Sequence, residues 1–303
     1  MNYYNEIKQE LINNKIYNKI KDYSKNKNSI ETYYKVGKLI IEAQGGETRA
    51  KYGNDLIKIY AEKLKIDVGK EYNERTLRRI RQFYITFKNW STVSTKLTWS
   101  HYCELLTIKD MQSILYYKNK VEKESLSIRE LRNIIKSKEY ERISEDTKEK
   151  ILKKDNISEI SDFIKHPIII HATDNSKDLS EKILKQLILE DLDNFLKELG
   201  NGFLYAGNEY KIKIGDRYYY IDILLYNIEF RCYVVVELKI TELKAEHIGQ
   251  IQKYINYIDK HIKKATEEDT IGIIICKKEN KFILEYCSNP RIFETTYKVK
   301  NIW

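Results

Sequence analysis

Proline is scarce, with two residues in a chain of 303. That excludes a proline-rich linker protein. With 33% charged and 42% hydrophobic residues, the composition favours a soluble, largely helical chain over a sandwich or a disordered polypeptide. Cysteine is nearly as scarce. The four present (Cys103, Cys232, Cys276, Cys287) form no Cys-Xaa-Xaa-Cys pair, and two lie inside apolar runs, so reduced core thiols are expected rather than a disulfide framework. His101, His166, His171, His247 and His261 lack zinc-ligand spacing with these cysteines, and no zinc site is expected. No apolar run approaches the roughly 20 residues that span a bilayer, and the opening MNYYNEIKQE lacks an apolar signal core. A cytoplasmic protein without membrane contact is expected.

What the chain has in excess is positive charge, and that charge is lopsided. Residues 1–160 hold 33 Lys and Arg against 23 Asp and Glu, whereas residues 161–303 hold 21 against 22. A concentrated basic balance fits a polyanionic partner, nucleic acid first, because phosphate contacts release counterions; a solvated Lys-rich surface is the plain alternative.

Length suggests two domains, and the pattern changes along the chain. Up to about residue 145 apolar residues recur at three and four, which predicts an all-helical, basic N-terminal domain over 1–145. Ser127-Ile-Arg-Glu130 has the form of a capping box, and Thr107-Ile-Lys-Asp110 is a weaker version. In NERTLRRIRQFYITF, Leu77, Ile80, Tyr84 and Phe87 share one helical face while Arg75, Arg78, Arg79 and Arg81 spread over the rest. Such a helix offers guanidinium groups to phosphates, or a basic face to solvent or an acidic partner. Trp90, Trp99 and His101 bracket a second aromatic cluster, read as core.

Residues 146–177 are charged and irregular and read as a connecting segment containing a short helix. From 178 to 303 a second domain is expected. A helix over DLSEKILKQLILEDLDNFLKELGNG precedes three strand-like runs ending in RCYVVVELKI; then come a helix with Ile248, Ile251, Ile255, Ile258 and Ile262 as its buried stripe, and two more strands, IGIIIC and KFILEY. The order implies an α+β or α/β domain with a mixed sheet.

Inside the apolar strands RYYYIDILLY and RCYVVVELKI stand Asp222, Glu237 and Lys239. Residues two apart share a strand face, so Glu237 and Lys239 are neighbours. A two-residue turn at Glu229-Phe230 would set Asp222 directly across from Glu237. Two carboxylates held together on rigid strands repel unless a cation lies between them, and a hard divalent ion with oxygen ligands, Mg²⁺ above all, suits that place. Such an ion serves phosphodiester hydrolysis, with Lys239 to orient or deprotonate the attacking water and stabilise developing charge. A strand salt bridge is the plain alternative. Gln250 and Tyr254, four apart on the following helix, suit a phosphate or a metal's water shell, or a polar boundary. Glu190 is a candidate further ligand.

These elements and the Asp222…Glu237-Xaa-Lys239 pattern resemble the PD-(D/E)XK nuclease core, whose αβββαβ order matches residues 178–276. More narrowly, LKELGNGFLYAGNEYKI, YYIDILLYN, CYVVVELKI, GQIQKYINYID and IGIIICKKEN resemble the YhcG-like family of bacterial proteins, and YYKVGKLI, TLRRIRQFY and LTWSHYCELL resemble that family's helical N-terminal domain. The resemblance implies a metal-dependent DNA nuclease (Mg²⁺, with Mn²⁺ an alternative) acting in repair, recombination or defence against foreign DNA. It makes Asp222 and Glu237 the metal-binding pair, Lys239 the catalytic lysine, Gln250 and Tyr254 the Gln-Xaa-Xaa-Xaa-Tyr helix motif, and Glu190 a less secure match to the first-helix glutamate. Ile221 replaces the proline of the superfamily's name. A homodimer and partner proteins of a restriction-type system are compatible with this reading. A non-catalytic DNA-binding or complex-forming module with a vestigial nuclease fold is its rival.

Overall fold

The structure, a computed structural model, describes residues 3–20, 25–46, 54–89, 93–94, 96–153, 162, 164–172, 179–286 and 289–301. They form two compact units, Met1–Lys136 and Ser137–Trp303. None of their helices is long and apolar enough to cross a membrane.

The first unit is helical: α1 (Tyr3–Ile20), α2 (Lys25–Ala43), α3 (Asn54–Asp67), α4 (Glu74–Thr86), α5 (Trp99–Leu105), α6 (Met111–Glu124) and α7 (Ile128–Lys136). Its core joins Ile7 and Leu11 of α1, Val36 and Ile40 of α2, Leu64 of α3 and Leu77 and Ile80 of α4. Each such buried aliphatic side chain contributes about 1.5–3 kcal/mol. Helices α2 and α4 touch closely enough that a Cβ on Gly37 would meet the Ile80 carbonyl oxygen at 2.6 Å, so only glycine fits there. The Ser127 capping box forms: Ser127 N–H donates to Glu130 at 2.8 Å, and Glu130 N–H donates to the Ser127 hydroxyl at 3.3 Å. The Thr107 version does not. Asp110 itself caps α6 by accepting from Ser113 N–H at 2.8 Å, while the Thr107 hydroxyl turns back to the Glu104 carbonyl. His101 is a capping residue too, accepting Thr98 N–H at 3.1 Å and meeting the Leu126 carbonyl at 3.1 Å. Trp99 packs on Phe83 with ring centroids 5.4 Å apart, as core. Trp90 lies outside the described residues.

The second unit runs α8 (Glu145–Lys153), β1 (Ile168–Ala172), α9 (Glu181–Glu190), α10 (Leu192–Leu199), β2 (Phe203–Ile214), β3 (Arg217–Asn227), β4 (Cys232–Glu242), α11 (Ala245–His261), β5 (Ile271–Lys278), α12 (Lys281–Tyr286) and β6 (Ile292–Asn301). The strands make one six-stranded mixed sheet in the order β1-β6-β5-β4-β3-β2. β2, β3 and β4 are an antiparallel meander, and β4, β5, β6 and β1 run parallel. One sheet face carries Val234, Val236 and Leu238 against Leu184 and Ile188 of α9 and Phe195 and Leu199 of α10. The other carries Val235 and Ile274 against Ile251, Tyr254, Ile255 and Ile258 of α11. A parallel strand covered on both faces is apolar throughout, which is why β4 and β5 read as unbroken hydrophobic runs.

Four expectations change. Besides its expected short helix, α8, the segment 146–177 holds strand β1, whose residues Ile168–Ala172 pair with β6; three consecutive isoleucines are too short a run to assign without the partner strand. The helix expected from 178 is two, broken at Asp191, and the first of them buries Leu184 and Ile188. KFILEY is the short helix α12, and the last strand is β6. Finally, Asn227 pairs with Cys232, so the β3–β4 turn spans the four residues 228–231 rather than two. The wider turn has the same centre and leaves the register as expected.

Candidate active site

β3 and β4 stay paired as far as Ile223 opposite Val236, and beyond that point they part. Parting strands orphan backbone N–H groups, which must find other acceptors. Asp222 and Glu237, the next residue on each strand, supply them. Asp222 Oδ2 accepts Leu238 N–H at 3.0 Å, and Glu237 Oε1 accepts Asp222 N–H at 3.4 Å. The two carboxyl groups therefore replace the missing rungs of the ladder and are locked side by side.

Glu237 is 2% exposed and Lys239 8%. Both continue the Val235 parity of β4, on the side covered by α11. Lys239 Nζ lies 3.3 Å from Glu237 Oε2, and Gln250 Nε2 donates to the same oxygen at 3.1 Å. Gln250 Nε2 also meets the Tyr254 hydroxyl at 3.1 Å. Tyr254 is buried, a member of the α11 stripe rather than a polar neighbour of it. Asp222, Glu237, Lys239, Gln250 and Tyr254 thus form one connected cluster.

Burial dominates the electrostatics of the site. Burial first, and the Asp222 carboxylate second, push the Glu237 carboxyl up to about 7, against the pull of Lys239. His247 sits alongside, 8% exposed, and accepts Lys244 N–H at 3.2 Å through Nδ1 to cap α11. Burial, then the Lys239 charge, hold its imidazole below the ordinary histidine range, which keeps the ring neutral.

Glu190 stands apart. It is exposed at the C-terminal end of α9 and accepts from Gln186 at 2.8 Å. Five residues earlier on the same helix, Lys185 is the side chain that reaches the site: its Nζ contacts Asp222 Oδ1 at 3.3 Å and also pairs with Glu209 of β2. Lys185, Glu209 and His247 were not singled out from sequence. A lysine and a glutamate in a chain this rich in both carry no signal until the sheet brings them together.

The donor set fits a hard divalent cation. It offers carboxylate oxygens from two strands, fixed by backbone hydrogen bonds, with a buried carboxyl whose raised pKa reports the cost of its charge without a counter-ion.

In the first unit, α4 starts at Asn73, whose side chain accepts Thr76 N–H at 3.0 Å, and it buries Leu77, Ile80 and Phe83. Arg75, Arg78 and Arg79 line a shallow surface concavity together with Lys65, Asn73, Glu74 and Gln82. Arg78 pairs with Glu74 at 2.7 Å. Arg81 points elsewhere, donating to Gln44 at 2.8 Å, and burial followed by the Arg78 charge pulls its pKa down. Three of the four arginines therefore share one basic surface.

Residues 6–142 match the DUF1016 N-terminal domain, and residues 161–300 match the YhcG PDDEXK nuclease domain. The chain belongs to the YhcG-like family. A YhcG-type relative from Escherichia coli (strain K12), named "Putative nuclease YhcG", is 26% identical over 287 residues, covering 82% of this chain and 76% of that protein. Two solved structures are similar to part of this YhcG-type chain. A repair endonuclease from Pyrococcus abyssi shares 16% identity and a TM-score of 0.29 over 41% of this chain and 49% of that one. An EndoMS–dsDNA2 complex shares 17% identity and a TM-score of 0.28 over 42% and 48%. The chain spans about half the length of each of those structures.

Proposed function

We propose that this chain is a metal-dependent DNA nuclease that hydrolyses phosphodiester bonds in cytoplasmic DNA, in repair, recombination or defence. The observation that carries the reading is the single hydrogen-bonded cluster of Asp222, Glu237, Lys239 and Gln250 at the point where β3 and β4 part, in a domain of the PDDEXK nuclease type.

Asp222 and Glu237 are the residues that would hold a divalent ion, Mg²⁺ or Mn²⁺; when bound it polarises a phosphoryl oxygen and lowers the pKa of a bound water. Gln250 fixes the Glu237 carboxylate by its 3.1 Å hydrogen bond, and Tyr254 in turn holds Gln250. Lys239 Nζ, 3.3 Å from Glu237, puts a positive charge where the pentavalent phosphorus gathers negative charge. Arg75, Arg78 and Arg79 supply phosphate contacts in the first unit. One site per chain cuts one strand, so severing a duplex calls for a second copy.

The test is cleavage of labelled linear, supercoiled, single-stranded and branched DNA with Mg²⁺, Mn²⁺ or EDTA. Cutting that needs the metal and falls at least 100-fold in Glu237→Ala and Lys239→Ala is expected. Cutting that persists in either variant sinks the assignment of the site.

A further inference from the structure

β2 is the free edge of the sheet, and with β3 it makes a hairpin that outreaches β4. Its two faces differ. Tyr210, Ile212, Tyr219 and Ile221 pack toward the α11 core. On the opposite parity, Lys211 pairs across from Tyr220 and Lys213 from Tyr218, and this face is open: Tyr220 is 49% exposed and Tyr218 54%. Lys211 Nζ lies 3.9 Å from the Tyr218 ring centroid, so cations and ring faces are interleaved. Arg217 adds a third cation at the tip, beside the Gly215-Asp216 turn.

The β3 strand runs from this face to the candidate active site. Asp222 is two residues beyond Tyr220, and Lys185 bridges Asp222 to Glu209, two residues before Lys211 on β2. At about 3.4 Å per strand residue, Tyr220 stands roughly 7 Å from Asp222 and Tyr218 roughly 14 Å. Exposed aromatic rings are not explained by the domain's own packing. Rings alternating with lysines are complementary to a flexible polyanion that has flat bases to stack. A duplex keeps those base faces covered by their neighbours, whereas an unpaired strand presents them.

We propose that the Tyr218–Tyr220 face of the hairpin docks an unpaired DNA strand, stacking its bases on the two rings and its phosphates on Lys211 and Lys213, with Arg217 at the hairpin tip, and leads that strand to Asp222. This deepens the nuclease reading and rests on it for the destination of the strand. The substrate class is DNA with a single-stranded arm next to the cut.

The test measures binding by fluorescence anisotropy in EDTA, where no cleavage occurs, for a single strand, a blunt duplex and a duplex with a single-stranded overhang. Each stacking contact removed costs roughly five- to 150-fold. In Tyr218→Leu/Tyr220→Leu, which keeps exposed apolar strand residues, the preference for overhang over blunt duplex should fall at least tenfold. In Tyr218→Phe/Tyr220→Phe, which keeps the rings, it should be retained. Unchanged preference in the leucine variant, an equal loss on all three DNAs, or no single-strand preference in the wild-type chain overturns the proposal. A ring-dependent preference in a chain that cuts none of these DNAs with Mg²⁺ or Mn²⁺ upholds the docking face and refutes the nuclease reading instead.

Discussion

Glu237 makes the second unit less stable in the absence of metal than the same fold with a neutral side chain there. Its carboxyl is raised from 4.5 to about 7 in the folded chain. At 1.36 kcal/mol per unit, the folded state pays about 3 kcal/mol to ionise Glu237. The sign follows from proton binding. Between the unfolded and folded pKa values the folded chain holds a proton that the unfolded chain has lost, so stability falls as pH rises from about 4.5 to above 7 and levels off beyond. Glu237→Gln keeps one acceptor oxygen, for the Asp222 N–H, and has no charge to ionise. The assay is urea unfolding followed by far-UV circular dichroism, for both proteins, in EDTA from pH 4.5 to 8.5. The wild-type chain should lose about 3 kcal/mol relative to Glu237→Gln across that range, a relative shift of roughly 6–12 °C in melting temperature. Titrating groups remote from the site cancel in the difference. If the two curves stay parallel, Glu237 is ionised without penalty and the argument from its burial fails.

Two further substitutions probe neighbouring features. Arg142, 7% exposed, donates to both Glu198 oxygens at 2.5 and 3.1 Å and to the Pro167 carbonyl at 2.9 Å, while Glu198 accepts Ile169 N–H. Burial raises the Glu198 carboxyl, but Arg142 and Lys165 more than offset this and leave it below the usual range. Arg142→Ala should therefore destabilise the second unit by about 3–5 kcal/mol in urea, because it strands a buried carboxylate; a loss near zero would show that water reaches Glu198. Lys185→Met removes the cation beside Asp222, so Mn²⁺ binding measured by calorimetry without DNA should tighten several-fold, by about 1 kcal/mol; weaker binding would mean that Lys185 organises the site instead of competing for it.

The αβββαβ order and the β3–β4 register were legible because they rest on strong local signals. Valine-rich runs of strand length, a helix with isoleucine at every third or fourth place and a centred turn leave few arrangements. What escaped notice depended on partners remote in sequence. Strand β1 is made by β6, about 130 residues later, which also receives it as the outer parallel neighbour. KFILEY has the apolar content of a strand but forms α12, and β4 and β6 already occupy both sides of β5. The break at Asp191 lies inside an apolar period that continues on both sides, and period alone does not show a break.

The site divides along the same line. Asp222, Glu237 and Lys239 stood out because charge in a strand buried on both faces violates the pattern of the strand, and such a violation is informative where the pattern is strict. Glu190 was drawn from α9, where a charged residue violates nothing. Helix α9 carries Glu181, Lys182, Lys185 and Glu190, and only its packing against β4, through Leu184 and Ile188, decides which of them meets Asp222. Residues on the face of Leu184 and Ile188 point to the sheet, and Lys185, one step round from Leu184, skirts the sheet edge to the place where β3 and β4 part. Of these charged residues, Lys185 is the one that contacts Asp222. With Lys185 Nζ 3.3 Å from Asp222 and Lys239 Nζ 3.3 Å from Glu237, each carboxylate of the pair has its own ammonium partner. A divalent ion entering between the carboxylates must share them with both lysines, and that sharing sets how readily it binds and leaves.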